Sequence, residues 1–188
     1  MRSISESQFR AWGQRLCEDD RAAYAALFDQ TYDALLRYVT YITHDQQAAY
    51  DVLQDVYLKL WNIRHTIDPD RSLRALLYQM ARNYALNHER HRKRHATDAL
   101  EETTLEPQAA SRLSEDLDAQ ELHHRIQRWI DHMPARRREA FLLSRYEGLS
   151  HEQIACLMNL APKTVNNHIV LALQYLRERL HALEASSP

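Results

Sequence analysis

The chain has 188 residues and a formal net charge of −2, and only two of its residues are glycine. That share is about 1%, against roughly 7% in average proteins. Glycine-rich phosphate loops need closely spaced glycines. Because the only two glycines, Gly13 and Gly148, lie far apart, Rossmann and P-loop nucleotide binding are excluded. Tight hairpins are disfavoured for the same reason. A hydrophobic content of 45% is enough to build a core, so the composition predicts a helical protein of one or two domains.

Cysteine use and hydropathy bear on the compartment. Cys17 and Cys156 lie far apart and no C-x-x-C is present, so the sequence indicates free thiols rather than a disulfide framework or a thiolate zinc site. The N-terminal segment has no continuous apolar stretch, and no apolar run approaches the roughly 20 residues of a membrane span. We therefore predict a cytoplasmic protein without membrane insertion.

The charge is distributed unevenly along the chain. Residues 96–121 carry eight acidic and one basic side chain, whereas residues 1–95 carry 14 basic and 12 acidic ones and residues 122–188 carry nine and six. The middle block is rich in acids, Ser and Thr and poor in large apolar residues, so it cannot bury enough surface to fold. Residues 96–120 are predicted to be a linker between two domains that are each net positive, which is compatible with a nucleic-acid partner.

The first half shows the helical period. Apolar residues recur three and four apart over residues 21–43, and Asp45 is a candidate N-cap for the next helix. In that second helix the apolar face leaves Asp51, Gln54, Asp55 and Leu58 on the opposite side. Asp51 and Asp55 repel each other slightly at this spacing, which favours a basic partner surface, although any surface helix needs a polar face.

The third predicted helix follows the turn at residues 68–70, with Ser72 as its cap. Its core face is predicted to hold Leu73, Leu76, Leu77, Met80, Ala81 and Tyr84, with Leu86 as a further candidate. Another face of this helix carries cations, carboxamides and an aromatic ring. Because cations contact phosphates, carboxamides hydrogen-bond base edges and aromatic rings stack on unpaired bases, this face is a candidate nucleic-acid surface. In the alternative interpretation the tyrosines belong to the core and the basic run is a solvated helix end. The candidate nucleic-acid residues are Tyr78, Arg82, Asn83, Asn87, Arg90, Arg92, Lys93 and Arg94.

The second half has the pattern of a helix-turn-helix. Pro134 suits the first turn of a helix that Gly148 ends, and Ser150 begins a capping box with Gln153. Asn159 tolerates the left-handed conformation of the turn, and Pro162 starts the second helix. That helix would present its first residues to a major groove, where Asn pairs with adenine. These residues are Lys163, Thr164, Asn166, Asn167 and His168.

Taken together, the two halves resemble the extracytoplasmic-function (ECF) sigma factors of the sigma-70 superfamily. The motifs are AAYDVLQDVYLKLW and SLRALLYQMARNYALN, the acidic linker, and MPARRREAFLLSRYEGLSHEQIACLMNLAPKTVNNHI, and they cover about residues 20–183. The resemblance implies an all-α fold of two small helical domains joined by a flexible acidic linker. It assigns residues 1–20 to an N-terminal extension, 21–95 to sigma region 2, 121–183 to the region 4 helix-turn-helix and 184–188 to a tail.

The resemblance also implies partners and residue roles. The partners are core RNA polymerase, through its β′ clamp coiled coil and β flap, promoter DNA, and as a further candidate an anti-sigma factor. No enzymatic activity, cofactor or metal is implied. Asp51, Gln54, Asp55 and Leu58 match the clamp-docking motif, and the nucleic-acid residues of the third helix match the −10 readers. The −35 readers would be Arg145, Lys163, Thr164, Asn166, Asn167 and His168, with Arg136, Arg137 and Arg138 contacting phosphate or the flap.

The sequence departs from the family pattern at five positions. Leu76 stands where Trp is usual, and Ile67 where an aromatic residue helps to shape the pocket for a flipped base, so base capture would depend more on Asn83 and Tyr78. Ala161 replaces the usual Ser or Thr cap, which costs about 1 kcal/mol. Leu171 and Leu173 replace common basic residues, so −35 binding should be weaker and less dependent on salt.

Two other functions fit parts of the sequence. A two-component-type transcriptional activator shares the L-S-x-x-Q and K-T-V-x-N-H patterns, but it leaves the first 95 residues without the alternating strands and helices of a receiver domain. A metalloenzyme is the second alternative, because His88, His91 and His95 share one helix face. The neighbouring cations and the lack of a completing carboxylate disfavour a metal there.

Overall fold

The computed structural model describes residues 4–98 and 117–185, and within these ranges all regular structure is helical, as predicted. The chain divides into two compact units, residues 1–107 and 108–188. Most of the predicted linker, residues 99–116, lies outside the described residues. The helices are α1 (Glu6–Cys17), α2 (Arg21–Thr43), α3 (Gln46–Ile63), α4 (Leu73–Asp98), α5 (Leu117–Asp131), α6 (Ala135–Arg145), α7 (His151–Met158) and α8 (Pro162–Ala185), with a 3-10 turn at Arg64–Thr66.

In the first unit α2, α3 and α4 pack on one another around an apolar core. The apolar face that the helical period predicts for α3 has eight residues, of which seven are buried and Trp61 is half-buried. The seven are Ala48, Ala49, Val52, Leu53, Val56, Tyr57 and Leu60. Inside this core the Thr31 hydroxyl donates to the Leu27 carbonyl and lies 2.8 Å from the Tyr57 hydroxyl. Burial raises the pKa of Tyr57, so its ring and neutral hydroxyl act as a structural link between α2 and α3.

Side-chain caps fix where these helices begin, as the sequence predicted. The Asp45 carboxylate accepts from the backbone N–H groups of Gln47 and Ala48 at the start of α3. The Ser72 hydroxyl accepts from the Ala75 N–H at the start of α4. Each cap satisfies a backbone donor that the first helical turn leaves without a partner.

Helix α1 lies within the segment that the resemblance treats as an extension, and it packs on α2 and α4. Phe9, Trp12 and Leu16, spaced three and four apart, are buried, and the rings of Phe9 and Trp12 meet edge to face at 5.5 Å. The Arg74 guanidinium of α4 lies over the Phe9 ring at 4.6 Å. Residues before 21 are therefore part of the first unit's core.

The second unit is a four-helix arrangement in which α8 contacts α5, α6 and α7. One part of its core consists of Ile130, Met133, Phe141 and Ala172. Helix α6 begins at Ala135, one residue after Pro134, and ends at Arg145. It therefore ends before Gly148, whose φ of 66° lies in the left-handed region that glycine favours.

Among the described residues, no helix is both long enough and apolar enough to cross a bilayer.

Candidate protein and nucleic-acid interfaces

One surface of α3 combines charge with an exposed apolar side chain. Asp51, Gln54, Asp55 and Leu58, here called the acidic face, are all exposed, on the side of α3 opposite its buried residues. Leu58 is 54% exposed. Two carboxylates one turn apart repel each other slightly and do not stabilise their own helix. The exposed leucine beside them leaves apolar surface in water, which is also unfavourable. The arrangement is suited to a basic partner that also covers an apolar side chain.

A groove joins the acidic face to helix α4. Its volume is about 390 Å³, and Asp51 and Asp55 form its α3 side. The α4 side is formed by residues spaced three and four apart, which share one helix face. They are Tyr84, Asn87, His88 and His91.

A set of polar residues on α4, here called the promoter face, consists of Arg82, Asn83, Asn87, Arg90, Lys93 and Arg94. Arg82 is half-buried and the other five are exposed. Arg92, predicted to belong with them, lies on the opposite side of the helix, in line with the buried Ala85 and Glu89. The Arg90 guanidinium donates to the Asn87 side-chain oxygen at 2.7 Å, which joins a cation to a carboxamide. The face thus brings together donors, acceptors and cations, the groups that contact bases and phosphates.

Arg92 has an additional partner inside the unit. Its guanidinium donates to both carboxylate oxygens of Glu89, at 3.1 and 2.9 Å, and Glu89 is only 9% exposed. This bidentate hydrogen bond raises the pKa of Arg92. Part of the Arg92 charge is therefore neutralised by Glu89 of the same helix.

The structure corrects the placement of Tyr78 as an exposed base-stacking residue. Tyr78 is 4% exposed and its ring meets that of Tyr38 at 5.3 Å. It lies in line with Ala81 and Ala85, three and seven residues later, which are fully buried. Tyr84, which the sequence placed in the core, is half-buried and lines the groove beside Asn87. The position of Tyr84 beside the groove could have been predicted from the sequence, because Tyr84 shares the helical phase of Asn87 and His91.

Two members of the histidine cluster considered as a metal site, His88 and His91, line the groove. The side chain of the third, His95, lies outside the described residues. Among the described side chains no group of three or more His, Cys, Asp or Glu residues is arranged to hold a metal ion.

The predicted helix-turn-helix is present in the second unit. The Ser150 hydroxyl accepts from the Gln153 N–H at 3.2 Å, while the Gln153 side chain accepts from the Ser150 N–H at 2.8 Å. Asn159 ends α7 with φ 54° and ψ 55°, the predicted left-handed turn. Pro162 is the first residue of α8, again as predicted. Ala161 precedes it, and its carbonyl accepts from the Thr164 and Val165 N–H groups.

The first two turns of α8 present polar side chains on the side away from the buried Val165 and Ile169. Lys163, Asn166 and Asn167 are exposed, and Thr164 and His168 are half-buried beside them. These are the groups that read a major groove, one cation and two carboxamides, on a helix that buried apolar contacts hold in place. Arg145, the last residue of α6, is also exposed.

The three arginines at the start of α6 differ in their surroundings. Arg136 is exposed, whereas Arg137 and Arg138 are half-buried. Arg138 donates to the backbone carbonyl of Asp131 at 2.6 Å and lies 3.6 Å from its carboxylate. Arg138 therefore ties α6 to the end of α5, and of these three residues Arg136 is the most accessible to a partner.

Comparison with known protein families gives one match in each unit. The family model described as "Sigma-70 region 2" matches residues 27–95, and the one described as "Sigma-70, region 4" matches residues 123–176. Together these matches cover more than half of the 188 residues. The chain belongs to the sigma-70 family.

Individual sigma factors are similar over nearly the whole chain. The RNA polymerase sigma-H factor of Pseudomonas aeruginosa is 25% identical over 96% of this chain and 97% of its own length. The ECF RNA polymerase sigma factor SigL of Mycobacterium tuberculosis is 29% identical over 87% of this chain and 92% of its own. These matches support the ECF subfamily and a role as an alternative sigma factor in transcription initiation, so the two-component-type activator is not favoured.

Solved structures show the same fold. RpoE of Bartonella quintana, crystallised with the anti-sigma factor NepR, has a TM-score of 0.65 at 22% identity over 84% of this sigma factor and 96% of that chain. CnrH in complex with the cytosolic domain of CnrY has a TM-score of 0.62 at 20% identity over 96% of this sigma factor and 99% of that chain.

Proposed function

We propose that the acidic face of α3 is the surface through which this sigma factor binds the β′ clamp coiled coil of core RNA polymerase. The observation that carries the proposal is the exposure of Asp51, Gln54, Asp55 and Leu58 side by side on the surface of a helix whose other side is fully packed. A basic coiled coil would neutralise the carboxylates and cover Leu58. Charge-assisted contacts and burial of an apolar side chain would then act together.

The promoter face of α4 is proposed to read the −10 element after the duplex opens. Asn83 and Asn87 would hydrogen-bond base edges, and Arg90, Arg92, Lys93 and Arg94 would contact the backbone. Tyr84, rather than the buried Tyr78, is the aromatic residue accessible to a base, because it lines the groove next to Asn87. An extruded base needs both a stacking surface and polar groups that recognise its edge.

Region 4 is proposed to read the −35 element as duplex DNA. Lys163, Thr164, Asn166, Asn167 and His168 would enter the major groove, while Arg145 and Arg136 would contact phosphates. The support is the helix-turn-helix geometry together with the exposure of these residues. We infer that residues 21–95 and 121–183 are the functional limits of the two regions and that α1 extends the first.

The protein is further proposed to act in the cytoplasm, by binding alone and without catalysing a reaction. An anti-sigma factor is a candidate partner, since similar folds have been crystallised with such proteins. It would bind the free sigma factor and keep it from the polymerase.

The test is binding of the labelled protein to purified core polymerase, comparing wild type with Asp51→Ala/Asp55→Ala. Replacing a repelling carboxylate pair by alanine, a better helix former, should leave folding intact or stabilise α3 slightly. Core binding should nevertheless weaken at least about 100-fold, since two charge-assisted contacts of about 1.5–3 kcal/mol each would be lost.

The chain offers a matched control in Asp29→Ala/Asp33→Ala. These two aspartates are also exposed and one turn apart, but they lie on α2. The control variant should bind core polymerase like wild type. Equal weakening in both variants would mean that net charge, and not the acidic face, governs binding, and would refute the assignment.

A further inference from the structure

The second unit has a basic and aromatic groove that is separate from its helix-turn-helix. It lies between α5 and α8 and has a volume of about 710 Å³. That size is within the range of about 300–1,000 Å³ typical of ligand sites. Its lining consists of three arginines, one histidine and two large aromatic residues, namely Arg125, Arg128, Trp129, His132, Tyr175 and Arg179.

The groove has a defined internal arrangement. The Arg179 guanidinium lies over the Tyr175 ring at 5.2 Å, and a ring nitrogen of His132 is 2.6 Å from the Arg128 carbonyl. Arg125 is paired with Glu121 at 2.6 Å, and this hydrogen bond lowers the pKa of Glu121. Arg128 and Arg179 are exposed, so their charges face solvent.

This combination recognises a particular class of ligand. Guanidinium groups bind phosphate oxygens, and half-buried aromatic rings stack on unpaired bases in a way that tolerates any sequence. Trp129 and Tyr175 are both half-buried and both line the groove. Arg179 lies 16 residues beyond Lys163 on the same helix, about 24 Å along its axis, so a strand in the groove would not occupy the residues that face the major groove.

We propose that this groove is a second nucleic-acid site, which binds a single-stranded phosphodiester chain through its arginines and stacks bases on Trp129 and Tyr175. It goes beyond the proposed function, because neither −10 nor −35 recognition uses these six residues. RNA and DNA single strands both carry the phosphates and bases that this site would bind. The two ligands are distinguished by measuring the binding of each one separately.

The experiment uses the full-length protein without polymerase and short labelled single strands of RNA and of DNA, followed by fluorescence anisotropy. Arg128→Gln/Arg179→Gln is compared with Arg37→Gln/Arg177→Gln, a control that removes two exposed cations outside the groove. Single-strand affinity depends on salt with a slope of about −0.7 per phosphate contact. The groove variant should therefore lose about 1.4 from the slope and bind about 25-fold more weakly at 0.1 M salt.

Stacking is tested by changing the ligand, which leaves the fold untouched. A strand of the same length without bases should bind about 5- to 150-fold more weakly than the normal strand for each base stacked. This difference should shrink in the groove variant. The promoter face of the first unit is also proposed to contact single strands. The affinity of the groove variant is therefore compared with that of the control variant, and not with wild type alone.

Equal affinities and salt slopes for the two arginine variants would overturn the proposal. So would a strand without bases, or a poly-glutamate peptide, that binds as tightly as the normal strand. Groove-dependent binding that is tighter for random duplex DNA, or complete competition by inorganic phosphate at millimolar concentration, would also overturn it. A stronger groove-dependent affinity for RNA than for DNA would support the proposal and identify a transcript as the ligand class, while the reverse preference would support it with a DNA strand.

Discussion

The exchange of roles between two tyrosines of α4 can be tested by replacing each with alanine. Tyr78 is 4% exposed and packs on Tyr38, so Tyr78→Ala removes a fully packed aromatic side chain. Such truncations cost about 3–5 kcal/mol. For a unit of roughly 100 residues each kcal/mol lowers Tm by about 4–8 °C, so the first unit should melt at least about 12 °C lower.

Tyr84→Ala should have the opposite profile. Tyr84 is only half-buried, so its loss should cost about 1 kcal/mol of stability. If its ring stacks on a captured base, binding of a single-stranded −10 oligonucleotide to the holoenzyme should weaken by about 1–3 kcal/mol. Tyr78→Ala, assayed well below its own Tm, should bind that oligonucleotide like wild type.

The assays are thermal unfolding by far-ultraviolet circular dichroism and fluorescence of a base analogue in the −10 strand. The outcome that contradicts this reasoning is a Tyr78→Ala variant that melts like wild type but loses −10 binding. That result would show that the Tyr78 ring leaves the core to meet DNA. Asn83→Ala serves as a reference for a promoter-face variant, since Asn83 is exposed and its loss should spare Tm.

Three further predictions concern a cap, a pH dependence and an ion pair. Ala161→Ser should supply the missing cap of α8 and raise the Tm of the second unit by about 4–8 °C in calorimetry, and an unchanged Tm would argue against Ala161 as the N-cap position. The pKa of Asp20 is lowered by hydrogen bonds from the Ala23 N–H and Arg15, so its stabilisation is present above the ordinary value of 3.8 and is lost as pH falls below it. Asp20→Asn should therefore reduce the loss of unfolding free energy at acidic pH, measured by denaturant titration. An unchanged pH dependence would exclude the Asp20 cap as a cause of that loss. Glu89→Gln should release the Arg92 charge and steepen the salt dependence of binding to a single-stranded −10 oligonucleotide by about 0.7, and a constant slope would show that Arg92 contacts no phosphate of that strand.

Local sequence signals predicted the ends and faces of several helices correctly. Asp45, Ser72 and Ser150 act as caps, and Asn159 adopts the left-handed conformation, because each depends on bonds to residues only a few positions away. Helix α3 was predictable for a related reason. Its apolar residues repeat without interruption, so the opposite acidic face followed directly from the helical period.

Where two faces compete for one helix, the sequence was ambiguous. In α4 Tyr78 has alanines three residues away on both sides, and Tyr84 has Ala81 three and Met80 four residues before it, so either phase could have been the core. Packing against Tyr38 of α2 decides the phase, and that contact joins residues 40 positions apart in the sequence. Helix α1 illustrates a second cause, since Phe9, Trp12 and Leu16 have helical spacing but become a core face only where α2 and α4 receive them.

The −35 interface illustrates how the sequence and the structure combine. Leu171 and Leu173 stand where basic residues are common in the family, and both side chains are exposed, at 43% and 36%. Exposed apolar side chains contribute no counterion release, so the proposed −35 interface has three accessible cations for duplex phosphates, Lys163, Arg145 and Arg136. The exposed Arg128 and Arg179 of the same unit line the groove between α5 and α8 instead. With three phosphate contacts the expected slope is only about −2.7 in log affinity against log salt. Such a shallow dependence implies that region 4 alone gains little affinity from phosphate contacts, so the isolated protein should bind −35 duplex DNA weakly, whereas the holoenzyme, in which the polymerase holds region 4 in place, should bind it tightly.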